Sequence, residues 1–403
     1  MTLTSKDHIE LHEKYGAHNY APLDVVLSRG EGVWVWDVEG NKYLDMLAAY
    51  SAVNQGHRHP KILKAMQEQL ERITLTSRAF YNDRLGLFLK KLHDITGYDK
   101  ALPMNSGAEA VETALKIARK WAYVKKGIPL NDGEIIVALN NFHGRTITVV
   151  SFSSEPQYRY GFGPFTPGFV FVPFGDADAI EKAINWKTIG VMLEPIQGEG
   201  GINVPPDGYL RRVRQITEER GVLLILDEIQ TGLGRTGKMF AFEWEDARPD
   251  ILILGKALGG GVYPVSAALA DNHIMEVIKP GDHGSTFGGN PVAAAVGIAA
   301  LDVIIEEKLP ERALQLGSYF MEKLKEIESP YIKEVRGKGL MIGVEIKPEY
   351  KNAKPFIKRL KEKGILVKET HERVIRFAPP LVITKEELDW AIERIREVFT
   401  QSL

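Results

Sequence analysis

Two short apolar runs that end in charged residues constrain the fold more than any other feature of this chain. Residues 223–226 read LLIL and are followed by Asp227, and residues 251–254 read ILIL and are followed closely by Lys256. Uninterrupted apolar runs are typical of strands buried on both faces of a parallel sheet flanked by helices. Neighbouring parallel strands end at one edge, where open α/β sheets bind ligands, so we predict Asp227 and Lys256 together at a ligand-binding rim. The ordinary alternative is that Asp227 caps a turn and Lys256 is a solvated loop lysine.

The composition narrows the class of partner. The chain has 403 residues, 44% of them apolar and 26% charged, so it is long enough for two or more domains with full hydrophobic cores. A net charge of -2 without a long basic run argues against nucleic acid or an anionic membrane surface as the main partner. The absence of cysteine excludes disulfides and thiolate metal sites. Without a secretory signal or a long apolar segment, we expect a cytoplasmic protein that binds small molecules.

The order of predicted elements indicates an α/β fold with two lobes. A β-hairpin is predicted around residues 39–41. Further along, a helix over 109–124, strands at EIIVAL, TVVSF, FVFVPF and GVMLEPI, and a helix over 208–219 precede the two apolar runs. This alternation predicts a mostly parallel central sheet flanked by helices. We expect both chain ends to build a smaller α/β domain, so the predicted division is an N-terminal segment over 1–45, a large domain over 46–294 and a C-terminal domain over 295–403.

A helix start is predicted at the sequence NSGAE. Ser106 and Glu109 have the spacing of a capping box and precede a strong helix-forming run. Free N–H groups and the positive end of the helix dipole favour phosphate binding there, and Gly107 lets the backbone approach closely. A capped helix without a ligand explains the same residues equally well.

Residues 232–238, GLGRTGK, partly match two nucleotide-binding motifs. The P-loop motif requires Ser or Thr after the lysine to hold magnesium, but Met239 follows here, and the acidic strand precedes the loop instead of lying downstream. For the dinucleotide motif, no convincing helix begins at the third glycine. Both nucleotide interpretations are therefore disfavoured.

Three histidines lie in two short motifs. His57 and His59 lie in GHRHP, for which a loop or helix start is a better interpretation than a metal site, so no metal site is predicted. His143 follows a strand in NNFHGRT. Its neighbours Phe142 and Arg145 suit ring stacking and carboxylate binding.

The surroundings of Lys256 point to one kind of ligand. Glycine precedes this lysine and three glycines follow at 259–261, so the backbone there can approach a bound ring. Ser285 and Thr286 in HGSTFGGNP offer hydroxyls to a phosphate. With Asp227 to pair a ring cation, the set requires a phosphate, a flat ring and an aldehyde for Lys256. Pyridoxal 5'-phosphate meets these requirements.

Six motifs together resemble those of the class III (subgroup II) pyridoxal-phosphate-dependent aminotransferases, which are fold-type I enzymes. They are, in order, NSGAEAVETALKIAR, FHGRT, EPIQGEGG, LILDEIQTGLGRTG, LILGKALGGGVYPVSA and GSTFGGNP. The resemblance covers essentially the whole chain, and it implies a homodimer or a higher homo-oligomer. It also implies two catalytic roles: Lys256 binds the cofactor's aldehyde carbon and then moves a proton, and Asp227 keeps the ring nitrogen protonated.

The resemblance assigns further residues to the cofactor and the substrate. The remaining cofactor contacts are the phosphate-helix residues Gly107 and Ala108, the ring-face residues Phe142 and Ile229, the donor Gln230, and Ser285 and Thr286 from a neighbouring subunit. The substrate contacts are Arg376 for the α-carboxylate of glutamate, Glu199 as its partner when that site is not needed, Arg145 for the far carboxylate, and Tyr20 and Tyr50 near the ornithine α-amino group. His143 is a mild variation, because relatives often have an aromatic residue there.

The flanking segments extend the resemblance to members that act on L-ornithine. These segments are YGAHNYAPLDVVLSRGEGVWVWDVEGNKYLDMLAAYSAVNQGHRHPKI and VIRFAPPLVIT. The implied reaction moves the δ-amino group of ornithine to 2-oxoglutarate or another 2-oxo acid, giving glutamate and glutamate-5-semialdehyde, which cyclises to pyrroline-5-carboxylate. The alternatives are an enzyme for acetylornithine or 4-aminobutyrate, an aminomutase on the same fold, an ATP-binding protein, and a non-catalytic binding protein.

Overall fold

The computed structural model describes residues 3–402 as three sheets with surrounding helices. The strands, numbered in chain order, are β1 Leu27–Glu31, β2 Trp34–Asp37, β3 Lys42–Asp45, β4 Lys100–Met104, β5 Glu134–Ala138, β6 Phe169–Val172, β7 Thr188–Leu193, β8 Leu223–Asp227, β9 Ile251–Leu254, β10 Ser266–Ala270, β11 Ile332–Lys338, β12 Met341–Ile346, β13 Ile365–Leu366, β14 Lys368–Thr370 and β15 Val374–Phe377. The α-helices are α1 Ser5–Tyr15, α2 Ala48–Ser51, α3 Pro60–Leu70, α4 Leu85–Thr96, α5 Gly107–Trp121, α6 Ile147–Ser151, α7 Pro156–Arg159, α8 Ala177–Ala183, α9 Tyr209–Arg220, α10 Asn272–Met275, α11 Pro291–Glu306, α12 Leu309–Lys325, α13 Lys354–Glu362 and α14 Lys385–Thr400.

The central sheet has seven strands in the order β4-β10-β9-β8-β7-β5-β6. Only β10 runs antiparallel to its neighbours, so the predicted mostly parallel α/β sheet is confirmed. Strands β8 and β9 are parallel neighbours, with Asp227 opposite Ile253. Asp227 and Lys256 therefore do emerge at the same edge, as the two apolar runs predicted.

The two faces of the central sheet belong to two separate parts of the core. Ile225 and Ile253 pack in one apolar cluster with residues of helix α5, whereas Leu224 and Leu252 pack in another that includes residues of α9 and α11. Every residue of β7, β8 and β9 is buried. Burial of each large aliphatic side chain contributes about 1.5–3 kcal/mol, which explains why these strands show no polar alternation.

Two four-stranded sheets lie beside the central one. The first has the order β1-β2-β3-β13, and the short strand β13 pairs in parallel with β3, so segments from both ends of the chain share this sheet. The second has the order β11-β12-β15-β14. Helix α11 extends across the predicted boundary at residue 294. The division into segments 1–45, 46–294 and 295–403 stays a prediction.

One predicted strand is a helix. The β-branched run TVVSF lies largely in α6, where the Thr146 side chain accepts a hydrogen bond from the Val149 amide and caps the helix start. Val149 and Val150 are buried there, so packing and capping outweigh the strand preference of their side chains. The hairpin around residues 39–41 is confirmed as β2 and β3. None of the helices in the described range is long and apolar enough to cross a membrane.

Candidate active site

A cavity of about 160 Å³ opens at the rim where β8 and β9 end. Its walls combine a lysine, two carboxylates, a histidine, glycines and apolar side chains. The lining residues are Gly107, Ala108, Phe142, His143, Gly144, Glu194, Ile196, Asp227, Ile229, Gln230, Thr231 and Lys256. Seven of the residues predicted to contact the cofactor are therefore brought together from four separate segments of the chain.

Lys256 begins a single 3₁₀ turn directly after β9. Its φ is 45°, a left-handed value that non-glycine residues seldom adopt and that tends to occur at functional sites. Burial lowers the pKa of the Lys256 amine to about 8, with a further contribution from the positive charge of Arg376. A substantial fraction of the amine is therefore neutral near pH 8, as a nucleophile and proton carrier requires.

Asp227 is held by two partners on the floor of the cavity. One carboxylate oxygen accepts the Ile229 amide at 3.0 Å, and the other lies 2.7 Å from His143 Nδ1. Burial by itself lowers the pKa of His143, but the hydrogen bond to Asp227 and its negative charge outweigh burial, so that pKa is raised. The Asp227 carboxylate thus favours the protonated imidazole, and the hydrogen bond between them fixes the orientation of both side chains. The sequence motif placed His143 beside this site but did not indicate its contact with Asp227.

Glu194 is a buried acid that sequence reasoning did not select. Its carboxylate accepts the Phe142 amide at 2.9 Å, and burial raises its pKa to about 7. The Glu194 oxygens therefore orient the loop that carries Phe142 and His143. Its position at the end of β7, in EPIQGEGG, matches that of Asp227 at the end of β8, a parallel that could have identified it.

The predicted helix start is confirmed at the edge of the cavity. Ser106 Oγ accepts the Glu109 amide and the Glu109 carboxylate accepts the Ser106 amide, which completes the capping box of α5. The next two residues, Gly107 and Ala108, line the cavity with amides that have no acceptor within the helix. A Cβ on Gly107 would lie 2.9 Å from Ile229 Cδ1, so a larger residue there would displace the Ile229 side chain in the cavity wall.

Arg376 is one of the residues predicted to contact the substrate. It is 1% exposed, and its guanidinium contacts Glu199 Oε1 at 3.2 Å and Ser51 Oγ at 3.2 Å. The centre of the Tyr50 ring lies 5.4 Å from Arg376 Cζ and 5.8 Å from Lys256 Nζ. Burial lowers the pKa of Arg376, and Glu199 partly offsets this effect. The structure thus places Arg376, Glu199 and Tyr50 together within reach of Lys256.

Arg145 lies beside Phe142, with its guanidinium carbon 5.7 Å from the centre of that ring. Its guanidinium carbon lies 4.1 Å from the centre of the Tyr158 ring, which packs edge-on against Phe142. Tyr158 is a contact that sequence reasoning missed, because nothing in its local pattern relates it to Arg145. Tyr20 is exposed on the N-terminal segment, and its charge is one of the smaller influences that raise the pKa of Tyr50.

Ser285 and Thr286 do not line the cavity of their own chain, as far as the described residues show. Ser285 Oγ accepts hydrogen bonds from the Asn105 side chain and the Gly288 amide, each at 3.0 Å. Thr286 is exposed. The contact of these two residues with the cofactor of a neighbouring subunit stays a prediction.

The glycine loop at residues 232–238 is packed into the protein and does not form a phosphate cradle. Glu228 accepts the amides of Ala241 and Phe242 and so braces the far end of the loop. A Cβ on Gly232 would lie 2.7 Å from the Glu228 carbonyl oxygen, and one on Gly237 would lie 3.0 Å from Leu314 Cβ. The glycines therefore permit close packing, and the nucleotide interpretations lose their structural basis.

Comparison with known proteins decides the family. Residues 15–399 match the class III aminotransferase family model. The chain belongs to the class III aminotransferases. It is 63% identical to an ornithine aminotransferase of Geobacillus sp. over 97% of this chain and 98% of the relative. Among solved structures, it is similar to the ornithine aminotransferase of Toxoplasma gondii (TM-score 0.97, 48% identity, covering 98% of this chain and 95% of that one) and to an acetylornithine aminotransferase of Elizabethkingia anophelis (TM-score 0.90, 51% identity, covering 99% of each).

Class III aminotransferases use pyridoxal phosphate, and the cavity fits this cofactor. Two of its polar atoms, His143 Nε2 and Gln230 Oε1, are buried without a hydrogen-bond partner in the described structure. A buried polar atom of this kind calls for a ligand or water. The acid Asp227, the amine Lys256 and the start of α5 stand around the same small space, so this class III enzyme has the chemical groups that such a cofactor needs.

Proposed function

We propose that this class III enzyme transfers the δ-amino group of L-ornithine to 2-oxoglutarate or another 2-oxo acid by a ping-pong mechanism. The products are glutamate and glutamate-5-semialdehyde, which cyclises to pyrroline-5-carboxylate. The observation that carries this proposal is the pairing of Arg376 with Glu199 beside Tyr50, because a site that accepts two unlike substrates needs a cation that can be neutralised.

We further propose how the residues divide the catalytic work. Pyridoxal phosphate, when bound, supplies an aldehyde for the amino group and a ring that withdraws electrons from the reacting carbon. Asp227, supported by His143, would hold the ring nitrogen, and Phe142 and Ile229 would hold the two ring faces. The start of α5 at Gly107 and Ala108 would hold the phosphate. The Nζ atom of Lys256 would take a proton from the reacting carbon of the substrate and would then release it to a different carbon atom.

The two half-reactions impose different demands on one pocket. The carbon that carries the δ-amine of ornithine bears no carboxylate, so Glu199 neutralises Arg376 while ornithine is bound. The reacting carbon of glutamate bears a carboxylate, which binds Arg376 in place of Glu199, and Arg145 binds the far carboxylate. Tyr20 and Tyr50 would contact the ornithine α-amino group. Arg145 suits its role because Tyr158 supports the flat face of its guanidinium and leaves the nitrogen atoms free to face a ligand.

Product analysis tests this function directly. Purified holoenzyme is incubated with ornithine, with and without 2-oxoglutarate, and pyrroline-5-carboxylate is measured. We expect one turnover per site without the oxo acid and continuous turnover with it. Continuous loss of ornithine without an acceptor and without pyrroline-5-carboxylate would identify an aminomutase, and absence of pyrroline-5-carboxylate in both incubations would reject the proposal.

An acetylornithine aminotransferase is the second candidate, because a solved structure with that name is 51% identical to this chain. Acetylation removes the positive charge of the α-amino group. We expect ornithine to be preferred because the proposed contacts of Tyr20 and Tyr50 are with its charged α-amino group, and a tyrosine hydroxyl can accept a hydrogen bond from that group. Comparing kcat/KM for ornithine, N-acetylornithine and 4-aminobutyrate separates the candidates.

We also propose that the enzyme is cytoplasmic and forms a homodimer or a higher homo-oligomer. The support for the assembly is the position of Ser285 and Thr286, which lie outside the cavity of their own chain. Equilibrium sedimentation gives the oligomeric state. Changing Thr286 to Ala should then weaken cofactor binding without altering that state.

A further inference from the structure

The short element α2, which contains Tyr50 and Ser51, is a left-handed turn and not a regular α-helix. Ala48, Ala49, Tyr50 and Ser51 have φ values of 49°, 46°, 60° and 72°. L-amino acids visit this region as single residues and rarely in succession, because Cβ crowds the next carbonyl oxygen. Such an arrangement persists only where the surroundings impose it, and it is typical of functional sites.

The turn is imposed from its N-terminal side. Asp45 Oδ1 accepts the amides of Leu47 and Ala48, each at 2.9 Å. The other oxygen of Asp45 is 2.7 Å from His57 Nε2, so the acid is itself fixed in place. His57, the first histidine of the GHRHP motif, thus anchors the turn through Asp45.

The turn places two consecutive side chains against one guanidinium. Ser51 Oγ is 3.2 Å from Arg376 Nη2, and the Tyr50 ring lies 5.4 Å from Arg376 Cζ. In an extended segment, consecutive side chains point in opposite directions, so only one of them could face Arg376. Arg376 needs such support because it is 1% exposed and its Nε has no partner in the described structure.

The two polar partners of Arg376 differ in character. The Glu199 side chain is 24% exposed and charged, so a ligand carboxylate can displace it. Ser51 is 1% exposed, neutral and held by the turn. We propose that Ser51 is a positioning residue that holds the Arg376 guanidinium in place when Glu199 is displaced, and that the left-handed turn at Ala48–Ser51 exists to present it. This inference rests on the proposed function, in which Arg376 alternates between Glu199 and a substrate carboxylate.

The test compares Ser51→Ala with a matched loss of another buried hydroxyl. Ser151 is also buried, but its Oγ contacts only the backbone of Ile147 and Thr166, so Ser151→Ala serves as the control. We expect Ser51→Ala to raise KM for 2-oxoglutarate about tenfold, since hydrogen bonds to charged groups are worth this much. The single-turnover rate with ornithine should change less than about twofold, because Glu199 still orients Arg376 in that half.

Binding of glutarate provides a readout that does not depend on turnover. Glutarate carries two carboxylates but no amine, and its dissociation constant is measured by calorimetry on the holoenzyme. We expect it to rise about tenfold in Ser51→Ala and to stay unchanged in Ser151→Ala. An unchanged constant in Ser51→Ala, or no binding to the wild type, would overturn the role of Ser51. A wild type that binds glutarate but does not convert ornithine would reject only the proposed function.

Discussion

The two most deeply buried arginines of the described chain belong to neighbouring regions and have opposite roles. Arg376 lies in the rim region at the ends of β8 and β9, where a displaceable carboxylate pairs with it. Arg235 lies in the glycine loop that connects those strands, and its guanidinium donates only to neutral oxygens of Leu340, Pro379 and Asn54. Burial lowers the pKa of both side chains.

The difference lies in what the partners can do. The three partners of Arg235 are two backbone carbonyls and an amide, all buried, so the guanidinium joins three chain segments permanently. Glu199 is 24% exposed, and in the proposed function it turns toward solvent and leaves Arg376 to a ligand. The proposal therefore distinguishes the two buried charges by whether the partner can be exchanged. The glycine loop that resembled a nucleotide motif therefore has a structural role, because its Arg235 holds three chain segments together.

The largest difference in turnover is expected when one lysine of each region is replaced, Lys256 at the rim and Lys238 in the glycine loop. Changing Lys256 to Ala should lower turnover more than about 1,000-fold, because the nucleophile and proton carrier are lost together. Changing Lys238, the exposed lysine of the glycine loop, to Ala should leave turnover unchanged. The measurements are kcat and covalent retention of cofactor after borohydride reduction. Wild-type turnover in the Lys256 variant would refute the assignment of the rim.

The two arginines should show opposite signatures when each is changed to Met. Arg235→Met leaves three buried oxygens without donors and should lower the free energy of unfolding by about 3 kcal/mol. Arg376→Met should lower it by less than about 1 kcal/mol, since Glu199 can be solvated, but should raise KM for 2-oxoglutarate about 100-fold. Urea unfolding and steady-state kinetics check both. Equal losses of stability would remove the distinction drawn here.

Burial of Lys256 at the rim should make the stability of the chain depend on pH. The pKa of Lys256 is about 8 in the folded chain and near 10.5 in the unfolded chain, so below pH 8 the native state bears a buried charge. The unfolded state binds more protons between these values, so stability rises with pH in that window. Cofactor-free Lys256→Met should therefore be more stable than wild type by about 3 kcal/mol at pH 7, with the gap closing toward pH 10.5. A gap that does not change with pH would contradict this account.

A smaller effect is expected from the exchangeable partner itself. Glu199→Ala leaves Arg376 permanently available and should shift the ratio of kcat/KM values about tenfold from ornithine toward glutamate. Glu328→Ala removes an exposed carboxylate elsewhere and is the control. The ratio for each variant is obtained from initial rates with both amino donors. An unchanged preference would rule out the alternation of partners at Arg376.

The smallest effect concerns the left-handed turn at the rim. Ala49 is exposed with a φ of 46°, so Ala49→Gly relieves backbone strain without loss of packing. We expect the free energy of unfolding to change by less than about 0.5 kcal/mol. The same change at Ala65, inside helix α3, should cost about 1 kcal/mol. Equal costs in thermal unfolding would show that the turn is not strained.

The local patterns predicted much of the fold and the site. The apolar runs, the capping box at Ser106 and the hairpin were correct because burial, capping and turn chemistry act over a few residues. The strand expected at TVVSF was wrong because the Thr146 cap and tertiary packing outweighed β-branched propensity. The motifs placed Asp227 and Lys256 on one rim, and their resemblance to a family supplied roles that still await experiment.

Taken alone, the sequence determined the class of fold, the capped helix start at Ser106 and the acid and amine at the strand ends, since each depends on contiguous residues. Only the tertiary structure decided which partners the buried groups have. The contacts of His143 with Asp227 and of Ser51 with Arg376 join residues 84 and 325 positions apart in the chain. Packing between distant segments brings such pairs together, and no local pattern records it. The same packing surrounded Arg235 with buried neutral oxygens and left Arg376 paired with a partly exposed carboxylate.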